Sequence, residues 1–574
     1  MGKNFDNYLD ALYYGDKGPL IIGLTGYTGS GNSTTRKILS QKSKINMPGY
    51  KAIYGNREDE KDDQEHKINK EEIISRMDRR VFEKIERFWN KEEWIPFVPI
   101  EVAKIIFSFL LHKLINKEIT NSKYNDIFDY IENNKPDLTG LKHLFTNDMK
   151  IEADDAISLL NSYGNALKIY THFKDAYKKN KRKEMGEFIT LLQDFGDEIR
   201  KFGEVVDYKE DVKSSPNNIF TLPKAIDKII KANMVLYDSS RFVIDSFKNP
   251  YEIVYFKNMY SDFYLLGILR DKKERYNELI KLLYNDDYEK IDTREKAERP
   301  ETIRKEKDNL SVWITSQDLD ECLKKADMYI SNENSKTHQY EHLRFGLVKL
   351  LTLINKPGCF TPSQDERCMQ LAMTARLASG CISRQVGAVI IDSERRIVGV
   401  GWNDPPKTQI PCALRTCDEL INDPHYEVFS EYERGEEFVK HIKSLNLGDK
   451  PFCFRTELAN SKKEAKKAEF TRALHAEENA LFQASRNNGA SLEGSTLYTT
   501  SSTCTLCAKK AYQLGVERIV YIDEYYDIAI PQTLKAGKKN ILIERFSGII
   551  GEAFNKLYTA PMPEKSVIQL YDNY

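Results

Sequence analysis

The sequence predicts an α/β protein in two parts: an N-terminal parallel sheet with helical insertions, and a C-terminal three-layer α/β/α domain. Three observations carry this. "PLIIGLTGYTGSGNSTTRKILSQ" (19–41) reads as an apolar strand, a glycine-rich loop and a helix. "NKPGCFTPSQDE" (355–366) holds two prolines and a glycine and breaks the chain. Beyond it the segments alternate helix–strand–strand–helix–strand–helix–strand, the order of a compact layered domain. A chain of 574 residues is too long for a single core, so the break separates domains 1–354 and 355–574.

In the first part, "RFVIDS" (241–246) and "DFYLLGILR" (262–270) are buried-strand candidates, and parallel strands of this kind open their ligand sites at the C-terminal ends. "IPFVPIEVAKIIFSFLLHKLI" (from Ile95) contains Glu101, Lys104, His112 and Lys113, which reads as a buried amphipathic helix and not a membrane span. Residues 105–235 are charged and interspersed with apolar residues at three- and four-residue steps, which predicts inserted helices. The stretch 280–310 is almost wholly polar and reads as an exposed helical arm or loop. The charge runs 57–67 and 178–184 read as solvated faces. In the second part, "RCMQLAMTARLAS", "ALHAEENALFQASR" and "CTLCAKKAYQLG" are helices. "VGAVIID" and "RIVGVGWN" form a hairpin about "SER", and "STLYTTS" and "RIVYID" are further strands.

The 86 basic and 87 acidic side chains nearly cancel, so a general nucleic-acid-binding role has no support from charge. Nine cysteines are too few for a disulfide scaffold and odd in number, so reduced thiols are expected. "MGKNFDNYLDALYYGDKG" has no apolar signal core. The expectation is a cytoplasmic protein with no membrane association.

The loop Gly26, Tyr27, Thr28, Gly29, Ser30, Gly31, Asn32, Ser33 follows the P-loop pattern G-x-x-x-x-G-K-[ST] except that Asn32 stands at the lysine position. Backbone amides and the Ser33 hydroxyl suit phosphate binding. Asparagine does not supply the charge on which phosphoryl transfer relies. The expectation is therefore a loop that holds ATP, GTP or another nucleotide with Mg2+ without transferring phosphate; the alternative is a relic loop that binds nothing.

His475, Cys504 and Cys507 offer three zinc ligands at predicted helix starts, where partial positive charge favours thiolates. Three protein ligands leave the fourth position for water, the pattern of a catalytic zinc. Glu477, two residues after His475, is the candidate general acid/base. This H-x-E … C-x-x-C arrangement is the signature of zinc-dependent nucleobase deaminases. A lone C-x-x-C is often a structural half-site and a lone H-x-E usually means nothing; the ordered pair is the signal. Cys412, Cys417 and His425 are loosely spaced and are read as ordinary residues.

Residues 364–530 resemble the deoxycytidylate deaminase family in "LAMTARLASGCISRQVGAVIID", "VGVGWNDPP", "HAEENAL", "CTLC" and "GVERIVYIDEYYD". The resemblance implies a dCTP or dCMP substrate, a sugar contact from Asn403, and base contacts from the main chain at Ala476 and Ser502. Arg384 is a phosphate-contact candidate, and a surface arginine explains it equally well. Thr503 stands where the family usually has proline, so a local change around an intact metal site is expected. The long stretch 405–470 is expected to roof the pocket or contact a neighbour. Further upstream, "VIDSFKNPYE", "LRDKKERY" and "KKADMYISNENS" resemble, in order, segments of P-loop nucleotide and dephospho-coenzyme A kinases, which would bring Asp245 near a magnesium ion.

This combination, with the tail "FSGIIGEAFNKLYTAPMPEK", resembles the bacterial anti-phage dCTP/dCMP deaminases. The resemblance implies depletion of deoxycytidine nucleotides during infection, a homo-oligomer, and restraint by a repressor such as an inhibitory small RNA. Three alternatives stand beside it: nucleic-acid editing by the same chemistry, a housekeeping dCMP deaminase with an allosteric domain, and a non-enzymatic nucleotide-gated scaffold.

Overall fold

The computed structural model describes residues 18–54, 70–119, 124–146, 150–180, 182–206, 214–296, 314–333, 340–465, 467–488, 491–523, 528–538 and 541–572. The charge run 57–67, the first 17 residues and the part of 280–310 beyond residue 296 lie outside them. The chain falls into two units: one runs up to Thr361 and resumes at Asn555, and the other is Pro362–Phe554. Among the described residues no helix is long and apolar enough to cross a membrane.

The first unit is built on five strands: β1 (Leu20–Thr25), β2 (Val98–Glu101), β3 (Arg241–Phe247), β4 (Phe263–Leu269) and β5 (Met328–Ser331). They pair in parallel in the order β5-β4-β1-β3-β2, so β1 lies between β3 and β4. β3 and β4 are buried almost throughout, as strands covered on both faces must be. Gly23 in β1 is a packing requirement, because a Cβ there would lie 2.7 Å from the Phe263 ring and 2.8 Å from that of Phe247. Helices Val102–Ile115, Asn125–Asn134, Ala153–Asn180, Arg182–Phe202 and Thr221–Tyr237 intervene between β2 and β3.

Two expectations are corrected here. The apolar segment from Ile95 is not one helix: Val98–Glu101 forms β2, and the helix begins at Val102. Pro96 and Pro99 exclude a helix interior, and an edge strand is where a sheet tolerates a proline such as Pro99. Nor is 285–295 an exposed arm or loop. It is a helix that buries Tyr288, Ile291, Asp292 and Glu295. Its polar residues are used in internal ion pairs, such as Arg275 to Asp292 at 3.2 Å, and a charge count cannot see such pairs.

The second unit contains β6 (Gly387–Ile391), β7 (Ile397–Trp402), β8 (Ser495–Ser501), β9 (Val516–Asp523) and β10 (Leu542–Arg545) in the order β10-β9-β8-β6-β7. β6 is antiparallel to β7 and β8; β8, β9 and β10 run parallel. Alternate residues divide the faces. Ala388, Ile390, Leu497 and Ile519 pack against helices Ala476–Asn488 and Thr505–Gln513. On the opposite face the Tyr498 hydroxyl donates to Asp365, at 2.6 Å, in helix Gln364–Ala375. A Ser363/Glu366 capping box starts that helix.

Within 405–470 a separate small core gathers Cys417, Leu420, Phe429, Phe438, Ile442 and Phe452. Two capping boxes, Thr416/Glu419 and Ser430/Glu433, fix its short helices. Arg415 is fully buried and holds the Glu433 carboxylate through both terminal nitrogens, with its guanidinium 4.9 Å from the Phe429 ring centre and 5.2 Å from that of Phe452. Removing one partner strands a buried charge. Glu433→Ala is therefore expected to destabilise the segment by about 3–5 kcal/mol, measurable as an earlier urea transition in the second unit.

Candidate active site

The helix Ala476–Asn488 lies unusually close to β7, and this contact sets the position of Glu477. β7 reads I-V-G-V-G-W, and both glycines face the helix backbone. A Cβ on Gly401 would come within 2.2 Å of the Ala476 carbonyl oxygen, and one on Gly399 within 2.3 Å of the Ala480 carbonyl oxygen. The Asn479 amide ties the helix to the strand by donating to the Trp402 carbonyl at 2.8 Å. Gly401→Ala is expected to lift the first turn of the helix and lower turnover by about tenfold or more, since small displacements of a catalytic group are costly. Near-UV circular dichroism would show that the fold remains.

His475 precedes this helix and Cys504 is the N-cap of helix Thr505–Gln513, which carries Cys507 in its first turn. His475 Nδ1 lies 3.3 Å from Cys504 Sγ and 3.4 Å from Cys507 Sγ. A tetrahedral zinc with ordinary Zn–N and Zn–S bonds places N and S about 3.6 Å apart, so the three donors fit such an ion with little adjustment. This is the one cluster of three or more such donors among the described residues. Cys417 is instead buried in the small apolar core, and His425 is half-exposed beside Glu427. Hydrogen bonds from Cys507 and His475 hold the Cys504 thiol down to about 4. The Cys507 thiol, which carries the shared proton, is pushed well up. A divalent cation held by His475, Cys504 and Cys507 would take the place of that proton. Cys504 remains an N-cap although Thr503 stands before it.

Glu477 is 4 % exposed. Burial pushes its carboxyl up to about 7, opposed by the nearby His475. Thr499 on β8 donates its hydroxyl to the Ser501 carbonyl at 2.7 Å and lies 3.4 Å from Glu477 Oε1. No local pattern marked Thr499; its role depends on strand β8 crossing behind the helix. Glu478, next in the chain, points elsewhere and pairs with Lys510.

A cavity of about 420 Å3 opens over this group, and His475, Ala476, Glu477, Ser502, Asn403 and Arg384 all line it. The Asn403 side chain is partly committed to the backbone: Oδ1 accepts from the Val386 amide at 2.6 Å and Nδ2 donates to the Arg384 carbonyl at 2.8 Å. Arg384 pairs with Asp523 at 3.1 Å. The Ser502 amide donates to the Asp523 carbonyl at 2.8 Å. Arg455 and Arg472 also line the cavity, and sequence reasoning passed over both.

In the first unit the loop 26–33 follows β1, and Gly31 has φ 120°, with a Cβ there meeting Asn332 Nδ2 at 2.3 Å. The Thr28 amide donates to Glu295 Oε2 at 2.9 Å, the Thr28 hydroxyl to the same carboxylate, and Lys248 pairs with it at 2.7 Å. The Tyr27 hydroxyl donates to Asp320, and Arg270 donates to the Gly29 carbonyl at 3.2 Å. Asn32 turns inward and donates to the Gly26 carbonyl at 3.2 Å, bracing the loop from the position of the absent lysine. The Ser30 carbonyl accepts from Asn332 at 2.7 Å. Ser33 Oγ lies 3.5 Å from Asp245, whose carboxylate accepts from Arg36 at 3.1 Å. Glu295 thus supplies an internal carboxylate on one of the amides expected to meet phosphate.

Together the antiparallel-then-parallel sheet, the helix-borne His-Cys-Cys cluster and the buried carboxylate define a deaminase-type zinc site. Residues 362–523 match the family model for the cytidine and deoxycytidylate deaminase zinc-binding region. The deoxycytidylate deaminase of Enterobacteria phage T4 is 31% identical over 166 residues, covering 27% of this chain and 76% of that one. That of Schizosaccharomyces pombe is 28% identical over 201 residues, 35% of this chain and 48% of that one. A solved structure of the dCMP deaminase from cyanophage S-TIM5, in complex with dCMP and dUMP, shares 21% identity over 33% of this chain and 99% of that one, with a TM-score of 0.21. Through its second unit the chain belongs to the deoxycytidylate deaminase family.

Proposed function

We propose that the second unit hydrolyses the exocyclic amine of a deoxycytidine nucleotide, dCTP or dCMP, giving the deoxyuridine nucleotide and ammonia. The observation that carries this is the placement of one imidazole nitrogen against two sulfurs, with a buried carboxylate lining the same cavity. Zinc, when bound by His475, Cys504 and Cys507, supplies the Lewis acidity that makes water nucleophilic near neutral pH. Glu477 takes one proton from the attacking water and gives it to the ring nitrogen, where it stays in the product; it then takes the proton of the new C4 hydroxyl and gives it to the exocyclic amine, which leaves as ammonia as the C4–N bond breaks and the C4 carbonyl forms. Its carboxyl, pushed up to about 7, both accepts and returns a proton at modest cost. Asn403 retains one N–H and one lone pair for a sugar hydroxyl beyond its two backbone bonds. The main chain at Ala476 and Ser502 is assigned to the base.

The test is ammonia release from dCMP, dCTP, single-stranded DNA and RNA, assayed separately with zinc-replete full-length protein. Release from free nucleotides alone is expected. Release from DNA or RNA alone would make this a nucleic-acid editor, and release from none would leave a binding scaffold.

The first unit is read as a nucleotide-responsive domain. Supporting this, the glycine loop leaves the C-terminal end of β1 where the strand order changes direction, the usual ligand crevice of such sheets. ATP, GTP or another nucleotide with Mg2+ near Asp245 has to displace the Glu295 carboxylate from Thr28. Calorimetric titration of these nucleotides, and deamination rates with and without them, test the coupling. The resemblance to anti-phage deaminases supports nucleotide-pool depletion as the biological role, with a homo-oligomer and an inhibitory small RNA or other repressor as partners. A housekeeping deaminase with an allosteric domain performs the same chemistry. Cells expressing the chain, but not its Glu477→Ala variant, should resist phage in the first case, and both should be equally susceptible in the second.

A further inference from the structure

Three guanidinium groups line the catalytic cavity, and they differ in how they are compensated. Arg384 is paired with Asp523. Arg455 and Arg472 have no carboxylate within ion-pair distance among the described residues. Arg455 donates from Nη1 to the Thr471 hydroxyl at 3.3 Å, and its Nε is buried with no partner. Arg472 donates from Nη1 to the Ile410 carbonyl at 2.9 Å and touches Cys412 Sγ at 3.9 Å. These contacts orient the side chains without neutralising them. Elsewhere in this unit two buried or part-buried guanidiniums are answered, that of Arg415 by Glu433 and that of Arg518 by Asp365 and Glu544. A second observation points the same way. Helix Phe454–Lys462 begins at the cavity: Cys453, Phe454 and Arg455 line it, and no side chain caps its first amides. Its partial positive charge adds to the two guanidiniums. Against this stands one lining carboxylate, Glu477, at the opposite chemical task.

We propose that Arg455, Arg472 and the start of helix Phe454–Lys462 form the subsite for the substrate's phosphate chain, and that this charge selects the triphosphate of deoxycytidine over the monophosphate. The assignment rests on the deamination reading above and deepens it. Two uncompensated cations and a helix end exceed what a monophosphate needs and suit a longer polyanion; bidentate guanidinium–phosphate contacts supply the geometry. It also gives the long segment 405–470 a task, since that segment places Arg455 over the pocket.

The experiment compares kcat/KM for dCTP and dCMP in full-length wild type, Arg455→Ala, Arg472→Ala and Arg455→Lys, with zinc content measured for each. Wild type should prefer dCTP. Each alanine variant should lose about 10²-fold in kcat/KM for dCTP, mainly through KM, with a much smaller loss for dCMP. Arg455→Lys should recover part of it. An unchanged dCTP/dCMP ratio in both alanine variants, or wild-type preference for dCMP, overturns the proposal. A separate arm needs no variant to fold: inorganic tripolyphosphate should inhibit wild type competitively and far better than orthophosphate, and equal weak inhibition by both also overturns it. If wild type deaminates nothing, the deamination reading fails. Calorimetric binding of tripolyphosphate to wild type and to Arg455→Ala still decides the subsite, supporting it if only wild type binds and overturning it if both or neither bind.

Discussion

Glu477→Gln is expected to reduce deamination by about 10²–10⁴-fold, the usual contribution of a positioned general acid/base, while zinc content stays at the wild-type level. Glutamine matches the shape of the buried side chain, keeps an oxygen for the neighbourhood of Thr499, and leaves the packing of Ala476 and Ala480 on β7 untouched. What it removes is the ability to accept a proton and return it. The metal donors are separate side chains, so loss of turnover with metal retained assigns the carboxylate to proton transfer. The loss should appear in kcat and kcat/KM together, because substrate binding does not depend on the missing proton. Turnover within threefold of wild type would remove Glu477 from the mechanism. Loss of zinc along with activity would make the carboxylate a structural support of the cluster instead.

The parts of this chain that were legible in its sequence are those whose signal is local. The H-x-E and C-x-x-C pairs announce donors one helical turn or less apart, and Gly515, with φ 83° just past the C-cap Leu514, closes helix Thr505–Gln513 as its position suggests. The hairpin of β6 and β7 is likewise written in two short apolar runs separated by a turn. β2 is hidden in a longer apolar run, and only Pro96 and Pro99 mark its true character. β10 escaped because four residues of a short alternating run near the tail carry little periodic information. Helix Asn285–Glu295 is illegible for a deeper reason. Glu295 is completely buried, yet no sequence window contains Thr28 and Lys248, the partners that make its burial tolerable. The same holds for Thr499 behind Glu477, for Arg455, which residues 405–470 carry to the cavity, and for Arg472, whose contacts with Ile410 and Cys412 come from that segment. Long-range compensation of charge is where pattern reading stops and tertiary structure begins.

Chelation should abolish deamination and also weaken the second unit, because the donor set joins elements that the sheet alone does not hold together. His475 stands at the start of one helix and Cys504 and Cys507 at the start of another, each leaving a different strand connection. An ion bound to all three would cross-link the two helix starts beyond the C-terminal end of β8. Ligand-bound stability rises as RT ln(1 + [L]/Kd), so at a free ion concentration 1,000 times Kd the gain is about 4 kcal/mol. Treatment with a zinc chelator is therefore expected to lower the thermal midpoint of the second unit by several degrees, and readdition of one equivalent of zinc should restore both midpoint and turnover. Cys504→Ser should behave as the chelated protein does, since a hydroxyl does not replace a thiolate toward zinc at neutral pH. The chelated protein and Cys504→Ser thus share a phenotype that Glu477→Gln lacks, and this contrast separates the metal's structural contribution from its chemical one. A chelated protein with full turnover, or one equivalent of zinc retained in Cys504→Ser with normal rates, would show that the three donors do not form the working centre.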